Sequence, residues 1–162
     1  MTAAVVGLDL SSSSTGLCAD GTCSTIAPKG PMFDRCRAIA DTVAPTLLGA
    51  RLVVHEAIGT RHVNTAIAIA TVHALVLNEL HGRIGPQLVA VTPAQLKKYA
   101  TGKGNAQKDQ ILLAAVRAGA DVAGNDEADA WWLWAIGRHL DGNPVVAATT
   151  YRAAVIEAVQ AP

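Results

Sequence analysis

The chain has 162 residues, of which 51% are apolar and 16% charged, and its 13 basic and 13 acidic side chains leave no net charge. That composition excludes an intrinsically disordered chain, and the apolar runs are interrupted well short of the ~18 residues that span a bilayer. Neutrality gives no support for nucleic-acid binding by bulk charge, so any such binding has to come from a local basic patch.

Ala3 to Leu10 is an apolar run too short for a helix and reads as a buried strand ending in serines. Thr15 to Ala19 and Thr22 to Ile26, split by Asp20-Gly21, read as a hairpin with a turn of the Asp-Gly type. Pro31 suits a helix start, and Met32, Phe33, Cys36, Ile39, Ala40, Val43 and Leu47 recur at helical spacing. Pro45 is expected to kink or end that helix. Arg51 to His55 is a further short strand, closed by Glu56. From about Asn64 to His81 a long helical pattern carries apolar residues on more than one stripe, so one face is expected to pack on the sheet and another on a partner subunit. Leu88 to Val91 is another core strand, and Thr92-Pro93 opens a short helix through Tyr99, broken by Gly102 and Gly104. Asn105 is expected to cap a helix to about Ala118, Asn125 to cap one from Asp126 to about Leu140, and Thr149 or Thr150 to cap a last helix.

Three hairpin-connected strands followed by strand–helix alternation predict an α/β fold, a mixed five-stranded sheet with helices on its faces. No repeat, linker or shift in composition divides the chain, so residues 1–162 are expected to form one domain. Cys18, Cys23 and Cys36 are too few and too unevenly placed for a disulfide framework or a zinc site, and free thiols are expected. No basic-then-apolar leader opens the chain, and a reduced, cytoplasmic setting is the expectation.

Four acids stand where a core should disfavour them. Asp9 lies within the first apolar strand and Glu56 ends another. Asp126 and Asp129 open a helix, on a face that continues through Leu133, Ile136 and Leu140. Any one of them has an ordinary explanation, as a turn former, a helix-start residue or a solvated first-turn acid. Together they are harder to dismiss, because a buried carboxylate is costly unless paired or bound to a cation. No basic residue sits beside any of the four in sequence. Shared divalent cations are the economical solution, and hard oxygen donors suit Mg²⁺ or Mn²⁺. Two such ions ~3.5–4 Å apart would activate water and stabilise the leaving oxygen in phosphodiester hydrolysis.

These residues also match a known pattern. Val5-Val6-Gly7-Leu8-Asp9-Leu10-Ser11 with Thr15-Gly16, the strand ending in Glu56, Leu96-Lys97-Lys98 with Thr101-Gly102-Lys103-Gly104-Asn105-Ala106-Gln107-Lys108, and Asp126-Glu127-Ala128-Asp129-Ala130 follow one another in order. Over about residues 4 to 140 the chain resembles the RuvC family of Holliday junction resolvases, in the RNase H-like nuclease superfamily. Divergent small members of this kind occur in bacteriophages, so the setting implied is then the host cytoplasm. The resemblance implies an RNase H-like fold and a Mg²⁺-dependent endodeoxyribonuclease with two ions per site, for which Mn²⁺ would substitute. Asp9, Glu56, Asp126 and Asp129 would be the metal-binding catalytic acids, and Lys97 and Lys108 would act near the scissile phosphate. It further implies a homodimer, formed through the helix at 64–81, that nicks two strands of a four-way junction.

Departures from the family pattern bear on the substrate. Leu10-Ser11 replaces Pro-Gly after the first acid, and Trp132 stands where a histidine often follows the last. Ala57-Ile58-Gly59-Thr60 follows Glu56 where family members carry aromatics that open the junction, and no aromatic occurs between Phe33 and Tyr99. A missing base stack forgoes ~1–3 kcal/mol, which leaves flap or fork cleavage with loose junction selectivity as an alternative. A non-catalytic junction-binding module and an RNA-processing relative of the same fold are further alternatives. Lys97, Lys98, Lys103 and Lys108 are the one basic cluster, candidate DNA contacts together with Arg61. The three tryptophans of the late helix read as packing residues.

Overall fold

Period-two alternation in the strands decides which face of the sheet Asp9 and Glu56 occupy. The computed structural model describes residues 4–58, 63–81 and 85–161. Five strands, β1 (Ala4–Asp9), β2 (Thr15–Ala19), β3 (Thr22–Ile26), β4 (Ala50–Glu56) and β5 (Gln87–Val91), form one sheet in the order β3-β2-β1-β4-β5. β1, β2 and β3 pair antiparallel, while β4 runs parallel to β1 and β5 parallel to β4. This is the expected mixed α/β sheet. Asp20 and Gly21 both take positive φ, 50° and 85°, as the expected two-residue hairpin turn requires.

Helices cover both faces. On one, α1 (Met32–Leu48) and α2 (Val63–Leu80) bury Ile39, Val43, Leu47, Val72 and Val76 against Val6, Leu8 and Val53. On the other lie α3 (Pro93–Thr101), α4 (Lys108–Arg117), α5 (Asn125–Leu140) and α6 (Thr150–Gln160). Their core residues, including Leu96, Tyr99, Ile111, Trp132, Leu133 and Ile136, meet Val5, Cys18, Leu52, Val54 and Val91. Side chains two apart on a strand share a face. Asp9 therefore follows Val5 and Gly7 towards α5, and Glu56 follows Leu52 and Val54 to the same side.

α5 lies on the sheet at backbone contact. A Cβ at Gly7 would stand 2.1 Å from the carbonyl oxygen of Ala130 and 2.3 Å from the amide nitrogen of Trp134. One at Gly16 would stand 2.0 Å from the carbonyl oxygen of Asp126, and one at Gly137 would stand 2.6 Å from Val5 Cγ1. The line of closest approach thus runs through Asp126, Ala130, Trp134 and Gly137, rotated from the expected stripe of Asp126, Asp129, Leu133, Ile136 and Leu140. Small residues admit the backbone to the sheet, and Leu133 and Ile136 are buried too. From Ala128 to Gly137 only Asp129 escapes full burial, so the tryptophans do pack: Trp131, Trp132 and Trp134 are all buried.

Several boundaries differ from expectation. α1 continues through Pro45 to Leu48. Pro45 falls in the last turn, where losing one helical bond costs little against the burial of Leu47. α4 begins at Lys108, capped reciprocally by Gln107 and Gln110, and Asn105 is an exposed turn residue. The buried side chain of Ala106 holds the chain in a turn there, which delays the helix. Asn125 is already helical, with Gly124 as the cap, and Thr149 caps α6 by accepting from the Arg152 amide. Gly102 ends α3 at φ 82°, as a left-handed cap. Among the described residues the three cysteines are free, and no helix is long and apolar enough to cross a membrane.

The Gly7 contact predicts a sharp asymmetry. Gly7→Ala should cost at least the ~1–3 kcal/mol typical of overpacking, because the obstacle is backbone. Gly49→Ala, whose Cβ would meet nothing closer than 3.7 Å, should be nearly neutral. Equilibrium denaturation of the two variants checks this.

Candidate active site

Asp9 and Glu56 end adjacent parallel strands, with Leu8 opposite His55 one step before them. The α5 backbone crosses above, and its first turns carry Asp126 and Asp129. These four side chains, drawn from three elements, act on one another. Burial is the largest reason that the Asp9 carboxyl is pushed up to about 8, and the charges of Asp129, Glu56 and Asp126 raise it further while Lys108 opposes them. Burial and then Asp129 push Glu56 up to about 7, against Lys108 and Lys97. Asp129 is pushed up to about 6 by burial, with Lys108 and Lys97 lowering it and Asp126 raising it.

Two basic residues thus arrive from far along the chain. Lys108 opens α4 and Lys97 lies on α3, and neither forms a direct ion pair with the acids among the described residues. Lys98 and Lys103 are exposed and are not among the charges acting on Asp9, Glu56 or Asp129. Lys103 instead lines a cavity of about 680 Å³ between α3, α4 and α6. Arg61 lies outside the described residues.

Sequence reasoning missed the polar frame of this cluster. Ser14 donates its hydroxyl to Asp126 Oδ2. The buried Thr15 folds the loop that carries Ser14, its Oγ1 accepting from the Ser11 amide at 3.1 Å and donating to the Ser11 carbonyl at 2.9 Å. Arg35 of α1 donates to the Ser12 carbonyl at 3.1 Å, pinning the same loop from the other side. Glu127 accepts from the Ala123 amide at 2.7 Å and from Thr25 at 3.3 Å, which fixes the start of α5 and occupies the one acid there that belongs to no cluster. The sequence signal was the run Ser11 to Thr15 directly after the first strand.

The donor set fits a hard divalent cation. All four groups are carboxylates, Asp9 is half-buried beside the other three, and positive charge there would relieve both its desolvation and their mutual repulsion. As the side chains are placed, no three His, Cys, Asp or Glu residues among those described are gathered within chelating distance of one point. Asp126 is held by Ser14. On the far face of the sheet His55 and His73 stand edge to face at 5.5 Å, and burial followed by His55 lowers His73 to about 4. Among the described residues they have no further ligand company.

The fold is the RuvC-like, RNase H-like α/β fold. Two solved structures of RuvC from Thermus thermophilus share it. One is in complex with a Holliday junction substrate; it has a TM-score of 0.66 and 20% identity, over 86% of this chain and 96% of that one. The other has a TM-score of 0.67 and 20% identity, over 86% of this chain and 97% of that one. No protein-family model and no curated protein sequence matches the chain.

Raised carboxyl pKa values set a direction for stability with pH. The three acids favour protons in the folded chain more than in the unfolded one, where carboxyls titrate near pH 4. Their stabilising effect is fully present below that range and is lost as pH rises through about 6, 7 and 8 for Asp129, Glu56 and Asp9. The melting midpoint in chelator should therefore fall between about pH 5 and pH 8. Asp9→Asn should raise the midpoint at pH 8 by several degrees, at ~2–4 °C per kcal/mol, and flatten the slope. A thermal melt series in chelator reads both.

Proposed function

We propose that the chain is a metal-dependent, structure-selective DNA endonuclease that resolves Holliday junctions by paired phosphodiester hydrolysis. The observation that carries this reading is the convergence of Glu56, Asp126 and Asp129 on a half-buried Asp9 whose ionisation all three oppose. In it residues 1–162 are a single nuclease domain, and the four acids hold two divalent cations, Mg²⁺ or Mn²⁺. When bound, such cations supply positive charge that eases both ionisation of a water and departure of a bridging phosphate oxygen. The protein's own groups do the rest. Asp9, rigid in the sheet, fixes the centre of the site, and Ser14 orients the Asp126 carboxylate. Lys108 and Lys97 draw the scissile phosphate onto the acids, and Lys98, Lys103 and Arg61 hold flanking backbone. The likeness to a RuvC bound to a junction supports the substrate.

Paired cutting needs two sites, and α2 offers a surface for a second copy. Its inner side packs on α1, tied by Arg37 to Glu79 at 2.6 Å. Its outer side exposes Ile67, Ala70, Ala74 and Leu77, an apolar stripe at helical spacing, with Ile67 55% and Leu77 52% exposed. The homodimer forms on that stripe.

A second reading keeps the chemistry and broadens the substrate to flaps and forks. Ala57 and Ile58 follow Glu56, so no ring stands there to hold an unstacked base.

Cleavage of a labelled four-way junction, a fork and a duplex with Mg²⁺, Mn²⁺ or chelator tests both readings. Junction cutting is expected with either metal and not with chelator, and equal rates on all three substrates would remove junction resolution. Asp9→Asn should abolish cutting while junction binding survives; a wild-type rate would end the catalytic assignment. Leu77→Glu should shift the protein to monomer in sedimentation and turn paired cuts into single nicks.

A further inference from the structure

The cavity of about 680 Å³ between α3, α4 and α6 is lined by three cations, Lys103, Arg117 and Arg152, and by no acidic residue. In a chain with equal numbers of acids and bases, such a local excess is a feature to explain. Arg152 is the informative member. It is only 9% exposed, yet no carboxylate pairs with it among the described residues. Its Nε donates to the Tyr99 carbonyl at 3.1 Å and its Nη1 to the Ala147 carbonyl at 2.7 Å. Its guanidinium carbon lies 5.4 Å from the Tyr151 ring centre and 5.6 Å from those of Tyr99 and Trp132. Carbonyls and ring faces offset part of the desolvation cost but do not neutralise the charge. Among the described residues Nη2 makes no hydrogen bond to protein, yet it is not among the buried groups left without a partner. Arg152 is one of the residues that line the cavity.

We infer that this cavity is an anion site that takes a backbone phosphate of a nucleic-acid strand, separate from the carboxylate cluster. A guanidinium already fixed by two carbonyls presents its free edge to phosphate oxygens at little further entropic cost. Arg117 and Lys103 add charge from the rim. The Tyr151 ring, Leu113 and Val145 give the apolar surface that sugar and base edges cover, with Leu113 48% and Val145 37% exposed. α4 joins the two places. Lys108 at its start acts on the acids, and Arg117 at its end lines the cavity. At 1.5 Å per residue they are ~14 Å apart along the helix, a span of a few nucleotides. Only the choice of a strand as ligand rests on the endonuclease reading; the affinity for phosphate does not.

The test uses the whole chain in chelator, so that cation binding plays no part. On adding pyrophosphate, the NMR resonance of the Arg152 Nε–H group and the amides near Ala147 and Tyr151 should shift while those flanking Asp9 stay. No shift at Arg152 would overturn the site. Arg117→Gln and Lys103→Gln alter exposed side chains, and an unchanged melting midpoint shows that each variant is folded. Each should weaken binding of a labelled single-stranded 12-mer at least three-fold and lower its salt-dependence slope by about one. Unchanged affinity and slope in both would overturn the strand contact. A mononucleotide bound as tightly as the 12-mer would also overturn it, in favour of a free nucleotide. Pyrophosphate binding without junction cleavage would retain the cavity and reject the endonuclease.

Discussion

The structure depends on one close approach, the backbone of α5 laid directly on β1 and β2. Gly7 and Gly16 supply no Cβ, and the carbonyl oxygens of Ala130 and Asp126 occupy the space that side chains would fill. A helix held off by ordinary side chains would sit at roughly 10 Å from the sheet, as packed layers do. Asp126 and Asp129 would then ride above Asp9 instead of beside it. The contact also fixes rotation: with Gly137 against Val5 and Val54, α5 cannot turn about its axis without a clash. Burial of Ala128, Ala130 and Ala135 belongs to the same arrangement.

That approach has an electrostatic cost. It desolvates Asp9 and brings Asp126 and Asp129 towards it and Glu56, so the fold works against its own charge. Local frustration of this kind is characteristic of sites tuned for function and not for stability. Compensation comes from the surroundings. Thr15 closes the loop after β1, Arg35 pins it, Ser14 holds Asp126, and Glu127 anchors the helix start. Each fixes the frame without neutralising the cluster, which leaves the carboxylates available to a cation.

Much of this was legible in the residues. The five strands and the late helix follow from periodicity and turn chemistry, whereas the common face of Asp9 and Glu56 follows only from the pairing of β1 with β4. What sequence could not show is whatever depends on distant partners. Ser14 and Asp126 are 112 residues apart, and nothing local announces their bond. The expected α5 stripe was rotated because periodicity records which residues are apolar, whereas closest approach is decided by which are small. Asn105 looked like a helix cap because of its residue type, but the buried Ala106 and the reciprocal Gln107–Gln110 pair decide where α4 begins. Lys103 was grouped with Lys97 and Lys108 by proximity in sequence, while the turn after Gly102 carries it to another cavity. Arg152 is a lone arginine in a terminal helix, and its partner Tyr99 lies 53 residues away.

Zero net charge and the proposed polyanionic ligand are compatible because the charges are sorted by place in the fold. Several acids are engaged in holding the fold: Asp41 and Glu79 by Arg37, Asp141 by Arg51, and Glu127 by Ala123 and Thr25. Four more form the cluster, where in the proposed reading their negative charge would serve to hold cations. On the α3–α4 side, Lys97, Lys108, Lys103, Arg117 and Arg152 have no such carboxylate partners among the described residues. In the proposed reading, a phosphate chain would meet Lys103, Arg117 and Arg152 apart from the acids, and Lys97 and Lys108 beside them. Binding through these residues is expected to weaken with salt as a local contact does, and the charge of the chain as a whole says little about it.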